Sequence, residues 1–115
     1  MATTAAKTIK RFNIGEVTEP VKFMVDEDEF EAIPANRLPA GVLAKYFTAI
    51  NDSRIFDAHE FFFGAILVED SLKLFNERLD SVEKPITVGI MGDVAAWLLG
   101  EVYLQGEVSA EAKPS

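Results

Sequence analysis

From Val21 to Val25 apolar and polar side chains alternate, and most of them are β-branched or aromatic. A period of two with that composition predicts a strand. Asp26-Glu27-Asp28-Glu29 follows as a turn, Phe30-Glu31-Ala32-Ile33 alternates again, and Pro34 closes the run. The two segments read as a β-hairpin, which is marginal alone in water and has to lie on helices. Beyond the connector from Pro34 to Pro39 the period changes. Val42, Leu43, Tyr46, Phe47 and Ile50 recur on one face of a helix over residues 39–50, with Pro39 suited to its first turn.

Asn51-Asp52-Ser53 interrupts that helix and offers caps for the next. Stepped at ~100° per residue, Ile55, Phe56, His59, Phe62, Phe63, Ile66 and Leu67 share one broad arc, which predicts a core helix over residues 54–67. Phe61 lies well off that arc. Ser71 is placed to cap a third helix reaching Asp80, with Leu72, Phe75 and Leu79 as its apolar stripe. Lys73, Asn76, Glu77 and Arg78 cover most of its other side, with Leu74 among them. After a loop from Ser81 to Pro85, Thr87 is placed to cap a fourth helix that runs to Leu104. Ile86 and Met91 stand at the spacing of a hydrophobic staple across that cap. Ile90, Met91, Val94, Trp97, Leu98 and Val102 make its apolar arc, with Trp97 at the edge.

Strands segregated from helices make an α+β fold, here predominantly helical: an N-terminal β-hairpin followed by four α-helices. The expected organisation is a single domain over residues 21–105, preceded by a flexible leader (1–20) and followed by a flexible tail (106–115). A chain of 115 residues that is 49% hydrophobic suits one domain with a real core. It has no cysteine, which excludes disulfides and thiolate metal sites. The basic N-terminus has no apolar segment behind it, so no signal peptide is expected. The longest apolar runs, Phe61–Val68 and Val94–Leu99, fall short of the ~20 residues that span a bilayer. The net charge of −8 repels nucleic acid, so neither nucleic acid nor membrane is expected as a partner. Acidity of this kind gives solubility, attraction to a basic protein partner, or mimicry of nucleic-acid charge.

Candidate chemistry changes this picture little. The single histidine, His59, falls on the apolar arc of the second helix and reads as a core or boundary residue. The acidic cluster Asp26, Glu27, Asp28 and Glu29 lacks the central glycine and the ligand spacing of a calcium loop. It reads as a solvated turn or as a contact surface for a basic partner. Gly89 and Gly92 lack the Lys-Ser/Thr of a phosphate-binding loop. No catalytic constellation assembles, so the expectation is a protein-binding module: no enzyme, no cofactor, no metal. The aromatic surplus points the same way. Phe61 either lies under the hairpin or belongs to a partner-binding patch, and an edge Trp97 is a good interface anchor.

Three stretches carry a resemblance. Phe23-Met24-Val25-Asp26-Glu27-Asp28-Glu29-Phe30-Glu31-Ala32-Ile33-Pro34 is followed by Leu38-Pro39-Ala40-Gly41-Val42-Leu43. Leu67-Val68-Glu69-Asp70-Ser71 leads to Leu74-Phe75-Asn76-Glu77-Arg78-Leu79-Asp80. Lys84-Pro85-Ile86-Thr87 leads to Val94, Trp97, Leu98 and Glu101. In this order the chain resembles the tail assembly chaperones of long-tailed (siphovirus-type) bacteriophages, over residues 21–104. It departs from their pattern at Asn36-Arg37, which lengthen the connector, and in the all-acidic stretch after Val25.

The resemblance implies a protein that coats the tape measure protein, keeps it soluble and helps recruit tail tube subunits. It also implies self-association along that partner, a place in the host cell cytoplasm, and absence from the mature virion. This chain would be the short form of a pair made by ribosomal frameshifting, the longer form being the one that reaches the tail tube protein. On this reading the second and fourth helices line the contact, with Phe61 and Trp97 as anchors. Two other readings stand beside it: an acidic phage-encoded inhibitor or DNA mimic, and a small virion connector protein.

Overall fold

A computed structural model describes residues 9–104. The expectations for the first eight residues and for the tail lie outside the described residues. The fold is α+β: a two-stranded antiparallel hairpin followed by four helices. Strand β1 is Val21–Val25 and β2 is Asp28–Ala32, paired from Val21↔Ala32 to Val25↔Asp28. The turn is therefore Asp26-Glu27 alone, and Asp28 and Glu29 belong to β2 rather than to the turn. So tight a loop needs a left-handed residue, and Asp26 supplies it at φ 56°. Aspartate tolerates that region better than most residues because its short polar side chain bonds locally.

A single 3₁₀ turn, Ala35–Arg37, leads to α1 (Ala40–Asn51). Residues 9–20 form no helix or strand, and their Gly15–Thr18 stretch is tied to this turn. The Asn36 side chain donates to the Glu16 carbonyl at 2.6 Å and accepts from the Thr18 N–H at 3.3 Å. Arg37 donates to the Gly15 carbonyl at 2.9 Å. The two residues that lengthen the connector are thus the ones that hold the preceding segment.

Helix α2 is Ile55–Ile66 and α3 is Glu69–Leu79. Ser53 takes φ 66° in the tight turn before α2, and no side chain caps that helix, against the expectation for residues 51–53. Helix α4 is Val88–Trp97 and continues as a π-helical turn over Leu98–Tyr103. At its start Thr87 Oγ1 accepts from the Ile90 N–H at 3.2 Å, and Ile86 and Met91 are both buried, as a capped and stapled terminus requires.

The core is a chain of aromatic rings crossing every layer. Phe23 stacks on Phe30 (5.5 Å between centroids), Phe30 meets Phe75 edge-on (5.9 Å), and Phe75 stacks on Phe63 (4.7 Å). Phe63 meets Phe62 (5.5 Å), which touches both Tyr46 (5.2 Å) and Tyr103 (6.4 Å). The rings run from the hairpin through α3 and α2 to α1 and the π turn.

The hairpin is stitched to the helices by backbone bonds as well. Ile33 N–H donates to the Ile66 carbonyl and Val68 N–H to the Glu31 carbonyl, so the link between α2 and α3 zips onto β2. Ser71, expected as a cap, sits inside α3 instead. It is buried, and its hydroxyl accepts from the Glu31 N–H at 2.8 Å. The Tyr103 hydroxyl donates to the Ile33 carbonyl at 2.9 Å and so pins the end of the π turn to the same strand end.

Three expectations about burial give way. Phe47, Ile55 and Phe56 are all more than 40% exposed, although each lies on a predicted apolar arc. Ile55 and Phe56 are the first two residues of α2. The buried face of α3 is Ser71, Phe75 and Arg78, rotated from the Leu72–Phe75–Leu79 stripe toward polar residues that serve the hairpin. Arg78 is therefore not on the solvated side.

Candidate partner-binding surfaces

Phe61 projects from α2 toward α1, not toward the hairpin. It is 38% exposed, and Lys45 Nζ stands over its ring at 5.8 Å from the centroid. The two helices leave an open groove here of about 530 Å³. Ala44, Thr48 and Ala49 on α1 form its floor, and Lys45, Arg54, Asp57 and Glu60 ring its rim. Arg54 and Asp57 pair across the start of α2 at 3.6 Å. The small residues keep the floor low, Phe61 supplies an apolar edge, and charges of both signs surround it. An amphipathic helix could lay an apolar stripe on such a surface while its flanks meet the rim.

Trp97 lies in a second groove, of about 410 Å³, between α4 and β1. Phe23, Val94 and Trp97 give it apolar walls, and Asp93 and Lys22 bring one charge of each sign. Met24 reaches the same groove from β1 and is 62% exposed; Trp97 is 43% exposed. The two grooves share no residue. Helices α2 and α4 pack on one another in the core, so the single contact expected between the second and fourth helices becomes two surfaces on different sides of those helices.

The acidic cluster divides. Asp26 and Asp28 are held by Arg78, at 2.7 and 3.1 Å, while Glu29 makes only a long, exposed pair with Lys22 at 3.9 Å. Glu27 occupies the exposed second position of the turn. Two of the four acids are thus engaged within the chain, and Glu27 and Glu29 remain the more accessible. The pairing was not legible in the sequence, because Arg78 and Asp26 are separated by 52 positions.

His59 is buried on α2, its Nδ1 3.4 Å from the Tyr46 hydroxyl. Burial pushes its pKa below the usual imidazole value and that of Tyr46 above the usual phenol value. A Cβ added to Gly92 of α4 would meet His59 Nε2 at 3.7 Å, which places the ring at the α2–α4 contact. It fills that contact and faces neither groove.

Among the described residues no three His, Asp or Glu side chains come close enough to hold a metal ion. No described helix is long and apolar enough to cross a membrane. Sequence reasoning singled out Phe61 and Trp97 by their phase on the helix. It missed Met24, Lys45 and Asp93, each an ordinary residue until tertiary packing sets it beside an anchor. No protein-family model, curated protein or solved structure matches the chain.

Proposed function

We propose that this protein is a tail assembly chaperone of the long-tailed phage type, which binds the tape measure protein, keeps it soluble and helps recruit tail tube subunits. The observation that carries the reading is the groove between α1 and α2, where Phe61 stays exposed beside small residues and a rim of mixed charge. The resemblance over residues 21–104 names the partner; the groove supplies a physical means of holding it.

A tape measure protein is a long helix rich in apolar positions and aggregates before assembly unless it is covered. Helix-in-groove contact covers such a stripe by matching its spacing of i, i+3, i+4 and i+7. A single groove of this size gives modest affinity, and many copies along one long partner raise the total through effective concentration. The net charge of −8 then keeps the coated complex dispersed. On this reading the protein acts in the host cytoplasm, is released as the tube forms, and leaves the particle. The tail tube protein is reached through a longer frameshifted form.

Co-expression with the tape measure protein of the same genome tests the reading. The expected outcome is a soluble tape measure protein that co-elutes with many copies of this chain in one large complex on size exclusion. A tape measure protein that stays insoluble, with nothing co-eluting, overturns it.

A further inference from the structure

The hairpin has two edges, and the chain treats them differently. The outer edge of β2 is covered. Glu31 N–H donates to Ser71 Oγ, and its carbonyl accepts from the Val68 N–H. Both backbone groups of Glu31 therefore point away from β1. Opposed residues of an antiparallel pair exchange both bonds or neither, in alternation. Lys22 lies directly opposite Glu31, so its N–H and carbonyl point away from β2, out of the hairpin. Met24 has the same parity and does likewise. Among the described residues nothing bonds these groups.

An open strand edge invites pairing, and proteins usually blunt it with proline, a bulge, charge or a covering element. The β1 register is unbroken, the strand holds no proline, and its one lysine is paired with Glu29. The edge has a helix beside it across open space. It forms one side of the groove whose other side is Asp93, Val94 and Trp97 of α4. A strand edge facing a helix across an apolar trough offers backbone bonds on one side and side-chain pockets on the other.

We propose that this edge takes an extended segment of a partner protein by strand addition, and that the segment alternates apolar with basic residues. The apolar residues would enter between Phe23, Val94 and Trp97. The basic residues would meet Asp93 of the groove and Glu31 of the neighbouring β2, which have no ion partner among the described residues, while Lys22, which also lines the groove, is turned to Glu29. The chain's own undescribed ends do not have that composition. Residues 1–8 carry no large apolar side chain beyond Met1, and residues 105–115 hold two glutamates, one lysine and a single valine. Edge-to-edge pairing with the β1 of a second copy fits poorly as well, since α4 stands beside each edge. The proposal is independent of the α1–α2 groove and of the chaperone reading.

The test begins with a displayed library of random peptides about twelve residues long, selected on the full chain. The winning sequence is synthesised in two forms, with N-methyl groups on one or the other alternate set of amides. The expected consensus alternates apolar and basic residues. One methylated form loses affinity by about tenfold or more while the other binds normally, and Trp97→Ala weakens binding by a similar factor. Hydrogen exchange at the Lys22 and Met24 amides slows when the unmodified peptide is bound. An absence of enrichment, a helical consensus, equal affinity of both methylated forms, or unchanged exchange at Lys22 and Met24 overturns the proposal. So does displacement of the selected peptide by a peptide of residues 105–115 at comparable affinity, or a dimer of the free chain with the Met24 amide already protected. Each of those two outcomes assigns the edge to this chain itself.

Discussion

Arg78 donates to four oxygens, the carbonyls of Val25 and Lys84 and the carboxylates of Asp26 and Asp28, while its side chain is only 5% exposed. A guanidinium suits this place because its fixed fork of donors reaches several acceptors at once. Replacing it with methionine keeps the stem but strands the two carbonyls and leaves the carboxylates unanswered. Arg78→Met should cost about 2 kcal/mol in urea unfolding, below the usual cost of breaking a buried pair because Asp26 is largely exposed. Asp26→Asn should cost clearly less than Arg78→Met, for the same reason of exposure. His59 makes a different prediction. Desolvation holds its folded pKa below the unfolded value of about 6.5. The folded state then binds the proton less readily than the unfolded chain. The contribution of His59 is complete above the unfolded pKa and is lost as pH falls from there toward the lower folded pKa. The urea midpoint of the parent should drop on acidification below about pH 6.5 more steeply than that of His59→Gln. Parallel curves for the two would remove His59 as the cause.

At the scale of elements, the junction of β2, α3 and the α2–α3 link holds the hairpin in place. Ser71→Ala leaves the part-buried Glu31 N–H without its acceptor, and should cost about 1 kcal/mol. Thr87→Ala removes the single side-chain cap in the four helices and should cost about 1 kcal/mol, both read from denaturant midpoints. The two sites show what a sequence can disclose about an element. Thr87 was legible because a cap is a local motif: the acceptor, the N–H three residues on and the flanking staple all lie within six positions. Ser71 carries the same kind of residue before an apolar stripe, yet its partner lies 40 positions away. Local periodicity gave the type and order of the two strands and the four α-helices. It misplaced the turn because four acids in a row look like solvent-facing loop, whereas Asp28 pairs with Val25 and bonds Arg78. The π turn at Leu98–Tyr103 was hidden because one helical phase was carried through to Leu104. That turn buries both Leu98 and Leu99 and swings Tyr103 toward Ile33, and a uniform step of ~100° does not bring those three together.

For the whole molecule, the division between interior and surface aromatics decides what each does. Phe63 is fully buried between Phe62 and Phe75, so Phe63→Ala should cost about 3–5 kcal/mol through lost contacts and the cavity left behind. Phe61 is its neighbour but one in sequence and lies on the other side of the helix, partly in water. Phe61→Ala should change stability by much less than Phe63→Ala in the same denaturant series. The candidate surfaces were half legible for this reason. Phase on the helix set Phe61 and Trp97 apart from the core, but what stands opposite each is a property of packing: Lys45 and the small residues of α1 for one, and the open edge of β1 for the other. The most direct test of the central claim is the affinity of purified tape measure fragments for the parent and for Phe61→Ala, with unfolding curves of both proteins in hand. The account predicts binding weaker by about tenfold or more at nearly unchanged stability, as for an interface anchor. Equal affinity for the two would contradict it.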